Sequence, residues 1–308
     1  MSESVATPGY DILGIGCCAL DEIIHVPSWP AADGKILVPG RQRRLGGLTG
    51  ACLLAAARLG ARCAYAACLG TDEASDFAAS HLTSQGVDVS HAPRLPDAGV
   101  IQSTIIIGDD TGSRNIFFSI EGRIGAHPLL PAEEVIRDSR VLFLDHNGME
   151  GNLRAARIAR ANGVPIVADL ERDSDPLFPA LLETVDHLVL CQEMATRLSG
   201  STDPAQAVRT LWNESRAAVI VTCGAGGCWC AAAGDTEVRH YPAFAVRAVD
   251  TSGCGDVFHG AYATALARGQ PIEERVRFAS AAAAVKAAHA ELTSLDDVRA
   301  LMDLSAVH

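Results

Sequence analysis

From residue 141 onward the chain alternates short apolar runs with longer stretches whose apolar positions recur at helical spacing. Residues 141–144, 165–168, 187–190 and 218–222 have the length and β-branched content of buried strands, and 152–161, 179–184 and 204–212 carry helical patterns between them. Strands that alternate with helices predict an α/β fold with a doubly wound, mostly parallel sheet. A glycine-rich turn (Gly224, Gly226, Gly227) then leads into a further strand over 228–232.

The first third of the chain is patterned differently. Residues 11–18 read as a buried strand and 21–26 as a second extended segment, ended by Pro27 and Pro30. The pair Gly46-Gly47 precedes an alanine-rich helix over 51–59, closed by Gly60 and followed by a strand over 63–68. Two runs, 100–107 and 115–120, flank Gly108-Asp109-Asp110-Thr111-Gly112 and predict two antiparallel strands in a small sheet outside the main one. No internal repeat or low-complexity tract interrupts the 308 residues, so one domain is expected, with small-sheet strands from about 19–45 and 98–122.

Near the C-terminus a strand is expected over 241–249 and helices over 257–267 and 276–290. Between the first two lies Asp250-Thr251-Ser252-Gly253-Cys254-Gly255-Asp256-Val257-Phe258. The first N–H groups of a helix have no internal acceptor and sit at the positive end of its dipole, so such a turn attracts anions, and glycines let the backbone come close. Asp256 would repel a phosphate that was merely bound there; it makes sense as a base that takes a proton from an attacking hydroxyl during phosphoryl transfer. The plainer reading is a strand-to-helix turn capped by Thr251 or Ser252, with Asp256 favouring the first helical turn.

Charge and composition narrow the partners. A net charge of −12 and a pI near 5.2 argue against nucleic acid or anionic membranes as general ligands. No run reaches the length of a membrane span, and Met1 to Tyr10 lacks a basic stretch before an apolar core, so neither a membrane anchor nor export is expected. Most of the ten cysteines lie in apolar runs without zinc-type spacing, which reads as buried, reduced thiols and a cytoplasmic protein.

The 250–258 run, together with Gly46-Gly47 and Leu59-Gly60, resembles the signatures of the ribokinase-like (PfkB) family of carbohydrate kinases over nearly the whole chain. The resemblance implies a ribokinase-like sheet with a small β-sheet lid, ATP and Mg2+ as cofactors, and a sugar as phosphoryl acceptor. It implies that Gly253, Cys254 and Gly255 offer N–H groups to the transferring phosphate while Asp256 deprotonates the acceptor. Asp21, Gly46 and Gly47 would approach the sugar, and Thr222, Gly224 and Gly227 the nucleotide. Ala51 stands where the family has Asn, Cys254 where Ala is commoner, and Cys191-Gln192-Glu193-Met194 where an Asn-x-x-Glu motif is expected.

Three further features bear on the acceptor and the assembly. Lys35, with Arg41, Arg43 and Arg44, precedes the double glycine and could meet an anionic group of a phosphorylated or sulfonated sugar. The Asp256-Val257-Phe258-His259-Gly260-Ala261 run with the missing Asn is similar to the sulfofructose-kinase-like branch. A small sheet with an exposed edge favours a homodimer. A nucleoside kinase shares fold and signature, and the altered Ala51, Cys191 and Met194 keep open a non-catalytic sugar or nucleotide sensor on the same scaffold.

Overall fold

A computed structural model of the chain describes residues 9–111, 113–235, 237–292 and 294–304; the expectation drawn from residues 1–8 lies outside them. In chain order the elements are β1 (Tyr10–Ile15), β2 (Ala19–Val26), β3 (Arg41–Gly46), α1 (Leu48–Arg58), β4 (Cys63–Tyr65), α2 (Glu73–Ser84), β5 (Val87–Asp88), β6 (Ile101–Gly108) and β7 (Arg114–Ser119). They continue with α3 (Glu133–Arg137), β8 (Ser139–Asp145), α4 (Met149–Ala161), β9 (Ile166–Asp169), α5 (Phe178–Thr184), β10 (His187–Cys191), α6 (Gln192–Ser199), α7 (Pro204–Leu211) and β11 (Ala218–Thr222). Last come β12 (Cys228–Ala232), β13 (Arg239–Tyr241), α8 (Cys254–Ala267), α9 (Ile272–His289) and α10 (Leu295–Leu304).

The large sheet has nine strands in the order β13-β12-β11-β10-β9-β8-β1-β4-β5. All neighbours from β11 to β5 run parallel, and only β12 and β13 are antiparallel. Its central strands are apolar on both faces, as strands covered twice must be: Val141, Leu142, Phe143 and Leu144 of β8 are all fully buried. Helices α4 and α8 both pack on β8 and β9. The α/β class and the mostly parallel sheet expected from the pattern are therefore present.

A second sheet, in the order β3-β2-β6-β7, stands apart from the first. Here β2 runs parallel to β6 but antiparallel to β3, and β6 runs antiparallel to β7. Asp21 therefore lies on an inner strand, and β3 and β7 form the edges.

Small residues set the distance between α1 and α8. A Cβ on Gly260 of α8 would meet Ala55 Cβ at 3.0 Å and Ala56 N at 3.1 Å of α1, so the helices touch through backbone there. This close contact places the N-terminus of α8 beside that of α1. Asp145, fully buried at the end of β8, ties the same corner together: its carboxylate accepts bonds from Cys17 N at 2.7 Å, Thr49 Oγ1 at 2.8 Å and Asn147 N at 2.7 Å.

One expected element is corrected. The strand read over 241–249 is confined to Arg239–Tyr241, which pairs with Cys228–Cys230. Pro242 has no N–H to continue the ladder, and the chain then runs without regular structure to residue 253. Its apolar residues, Phe244 and Val246 among them, wall a cavity instead of a sheet.

Candidate active site

The turn that opens α8 lies between two cavities. On one side is a cavity of about 480 Å³ reached by Asp21, Gly46, Gly47, Ala51, Arg114 and Asp256. On the other is one of about 510 Å³, reached by Thr222, Gly224, Gly227, Cys254, Gly255 and Phe258. Ten of the eleven residues singled out as site candidates from sequence are thus gathered, since Gly253 also faces the first cavity. Lys35 is the exception: it is exposed in the segment after β2 and reaches neither.

Local geometry explains why this turn can receive an anion. Gly253 is the N-cap of α8 and adopts the left-handed conformation, φ 73° and ψ 10°, which costs glycine little. The first i→i−4 bond of the helix runs from Val257 N to Gly253 O at 3.0 Å, so the N–H groups of Gly255 and Asp256 precede the helical ladder. Cys254 N makes only a long bond of 3.3 Å to Thr251 O. Residue 255 is open enough that a Cβ there would meet nothing within 4 Å.

Asp256 faces the first cavity from the first turn of α8. Burial and then the nearby Asp169 carboxylate, with lesser help from Glu171 and Asp21, push its pKa well above the usual carboxylate value, against an opposing effect of His259. A carboxyl held this way is a proton acceptor of raised basicity. Asp169 and Glu171 come from the end of β9 and the residues just after it, where functional groups of parallel sheets collect. Sequence reading passed over both; their place two residues apart at the C-terminal end of a buried strand was the available signal.

Across the cavity, Asp21 of β2 is fitted against the double glycine. A Cβ on Gly46 would land on the Asp21 carboxylate, and one on Gly47, at φ 82°, would meet Cys18 backbone carbon at 2.6 Å. Only glycines allow the chain to pass here. Burial holds the Asp21 carboxyl above its ordinary value in spite of the Ser103 hydroxyl and the Arg44 charge.

The second cavity is mostly apolar, with Phe244, Val246 and Ala284 in its wall and Thr222 at its edge. Gly227, at φ 80°, lets the residue after Pro242 cross closely: a Cβ would meet Ala243 N at 2.8 Å. An apolar cavity beside an anion-receptive helix terminus suits a nucleotide's base and phosphates respectively.

His259 is spent on the protein. It is 4% exposed, with Nδ1 2.8 Å from Gly255 O and Nε2 3.1 Å from Val189 O. Glu193 stands in the first turn of α6 and pairs with Arg197 at 3.5 Å. Arg44 and Arg114, by contrast, reach the turn from the small sheet: Arg44 lies 3.8 Å from the Asp250 carboxylate, and Arg114 bonds to Ser252 Oγ.

Among the described residues no group of three or more His, Cys, Asp or Glu side chains could enclose a metal ion. Magnesium does not need such a cage, because it commonly keeps waters and takes one or two carboxylates beside substrate phosphates. Glu171, which lines the first cavity beside the turn, fits that requirement.

Known proteins resemble the chain at every level. A ribokinase of Haemophilus influenzae is 25% identical over 278 residues, covering 88% of this chain and 90% of its own. A solved protein of Agrobacterium tumefaciens superposes with a TM-score of 0.86 at 28% identity, covering 97% of this chain and 99% of its own. The fold is shared with an Arabidopsis thaliana ribokinase solved with ribose and ATP, with a TM-score of 0.81, 21% identity and coverage of 96% and 98%. Residues 11–297 match the family described as pfkB family carbohydrate kinase, and the chain therefore belongs to that family of carbohydrate kinases.

Proposed function

We propose that this carbohydrate kinase transfers the γ-phosphoryl group of ATP to a hydroxyl of a sugar or sugar derivative bound between Asp21 and Asp256. The observation that carries the reading is the position of the α8 turn between a cavity lined by the Asp21 and Asp256 carboxylates and an apolar cavity walled by Phe244 and Val246. The acceptor hydroxyl donates its proton to Asp256 as it attacks. Negative charge on the transferring group is received by the N–H groups at the start of α8, which are oriented before the reaction begins. Bound magnesium would neutralise phosphate charge, with Glu171 as the residue to hold it.

Asp21 orients the acceptor from the small sheet, which acts as a lid. The absent amide at Ala51 and the apolar wall of Leu54, Ile105 and Ile116 favour an acceptor less uniformly hydroxylated than a simple pentose. ADP release measured across free sugars, anionic sugars and nucleosides tests this: turnover restricted to nucleosides would overturn the sugar assignment.

A second copy of the chain is the partner we assign to the lid edge. Strand β7 leaves one row of main-chain groups unpaired and exposes Ile116, Phe117 and Phe118 at 50%, 59% and 51%. The ten free cysteines, most of them buried, support a reducing compartment such as the cytoplasm. No helix among the described residues is long and apolar enough to cross a membrane.

A further inference from the structure

The chain contains only two lysines, Lys35 and Lys286, among 25 basic residues. Lys286, on α9, is 6% exposed. Its Nζ lies 3.1 Å from Asp250 Oδ2 and 3.3 Å from Asp250 O, so two of its three donors are aimed at one residue. Asp250 is where the incoming chain bends toward α8.

The same bend is held to α9 through the main chain. Val249 N and Asp250 N donate to Ala287 O at 2.7 and 3.2 Å. The other carboxylate oxygen, Oδ1 of Asp250, accepts from Ser252 N at 2.8 Å. Although burial works against ionisation, the bonds from Ser252 and Lys286 keep the Asp250 carboxyl below its usual pKa.

An ion pair with one partner buried and the other half-buried is a poor device for stability, because desolvation cancels much of the attraction; its better use is to fix one geometry. Here the fixed segment is 250–253, whose last residue caps the helix that receives the anion. Arg44 and Arg114 also touch this segment, but both belong to the small sheet and not to the main body. Lys286 comes from a helix of the main body and lines the same cavity as Gly253 and Asp256.

We infer that Lys286 is a positioning residue for phosphoryl transfer: through Asp250 it sets the aim of the α8 amides, whatever the position of the lid. Its loss lowers turnover and weakens the hold on a γ-phosphate without disturbing the base-binding cavity. The turnover arm rests on the kinase reading above; the binding arm needs only a nucleotide.

The test uses Lys286→Met and the double variant Lys286→Met/Asp250→Asn, with calorimetric binding of magnesium AMP-PNP and of adenosine, turnover, and thermal midpoints. AMP-PNP affinity should fall about tenfold and turnover about a hundredfold, with adenosine affinity within about twofold. The double variant leaves no unpaired buried charge, so it should regain the thermal midpoint while AMP-PNP affinity and turnover stay low. Should the single variant fail to fold, the double variant carries the same readouts. Unchanged AMP-PNP affinity, or recovery of affinity and turnover along with stability in the double variant, would overturn the inference. A wild-type protein inactive on every sugar would instead defeat the kinase reading, and the binding arm would still decide the role of Lys286.

Discussion

Oδ2 of Asp169, at the end of β9, lies 3.3 Å from Nδ1 of His259 on α8, and both side chains are buried. The pair joins the main sheet to the helix that carries Asp256. It also leaves the Asp169 carboxylate close enough to Asp256 to raise the Asp256 pKa, an effect second only to burial.

A pH profile follows from that proximity. A base works in its deprotonated form, so turnover should rise with pH through the raised Asp256 pKa, placing the acidic limb above the ordinary carboxylate range. Asp169→Asn removes a like charge and should move the limb to lower pH. A limb at the ordinary value in the wild type, or one that moves upward in Asp169→Asn, would contradict this assignment.

The fit of Gly46 against Asp21 predicts a split in kinetic constants. In Gly46→Ala the new methyl group displaces the Asp21 carboxylate. The acceptor KM should rise about tenfold or more while the ATP KM stays within about twofold. Equal changes in both constants would place the damage elsewhere.

Asp145 should matter for stability. Asp145→Ala leaves Cys17 N, Thr49 Oγ1 and Asn147 N without the acceptor they share in a fully buried corner. Each stranded donor costs about 1–3 kcal/mol, so a loss on the order of 3 kcal/mol or more is expected in urea unfolding.

Lid pairing is tested at Phe117, on the outer face of β7. Phe117→Asp puts a charge into the proposed contact and should shift the mass measured by light scattering from dimer to monomer. A wild type that is monomeric at high concentration would remove the second copy from the proposal.

How far the sequence carried depended on whether an element is defined by its own residues or by distant ones. Strands β8 to β12 were legible because their apolar runs are buried on both faces. The α8 turn was legible because glycines and a carboxylate mark it locally. Strand β3, Arg-Gln-Arg-Arg-Leu-Gly, falls in the region assigned to the small sheet but is not singled out as a strand, because its first three residues are exposed and lack an apolar alternation. Helix α2 was missed because alanines and serines form most of its buried face. Arg114 meets Ser252 across 138 positions and Lys286 meets Asp250 across 36, and Arg44 reaches Asp250 from the other end of the chain, proximities that no local pattern encodes.

The most direct measurement compares Asp256→Asn with the wild type in turnover, nucleotide affinity and thermal midpoint at neutral pH. A folded-state pKa above the unfolded value means that the native state bears a cost which grows as pH rises past the ordinary carboxylate range, so removing the charge should raise the thermal midpoint. Turnover should fall about a thousandfold, with nucleotide affinity within about threefold. A stable Asp256→Asn protein that binds nucleotide and turns over sugar at the wild-type rate would show that Asp256 is not the base.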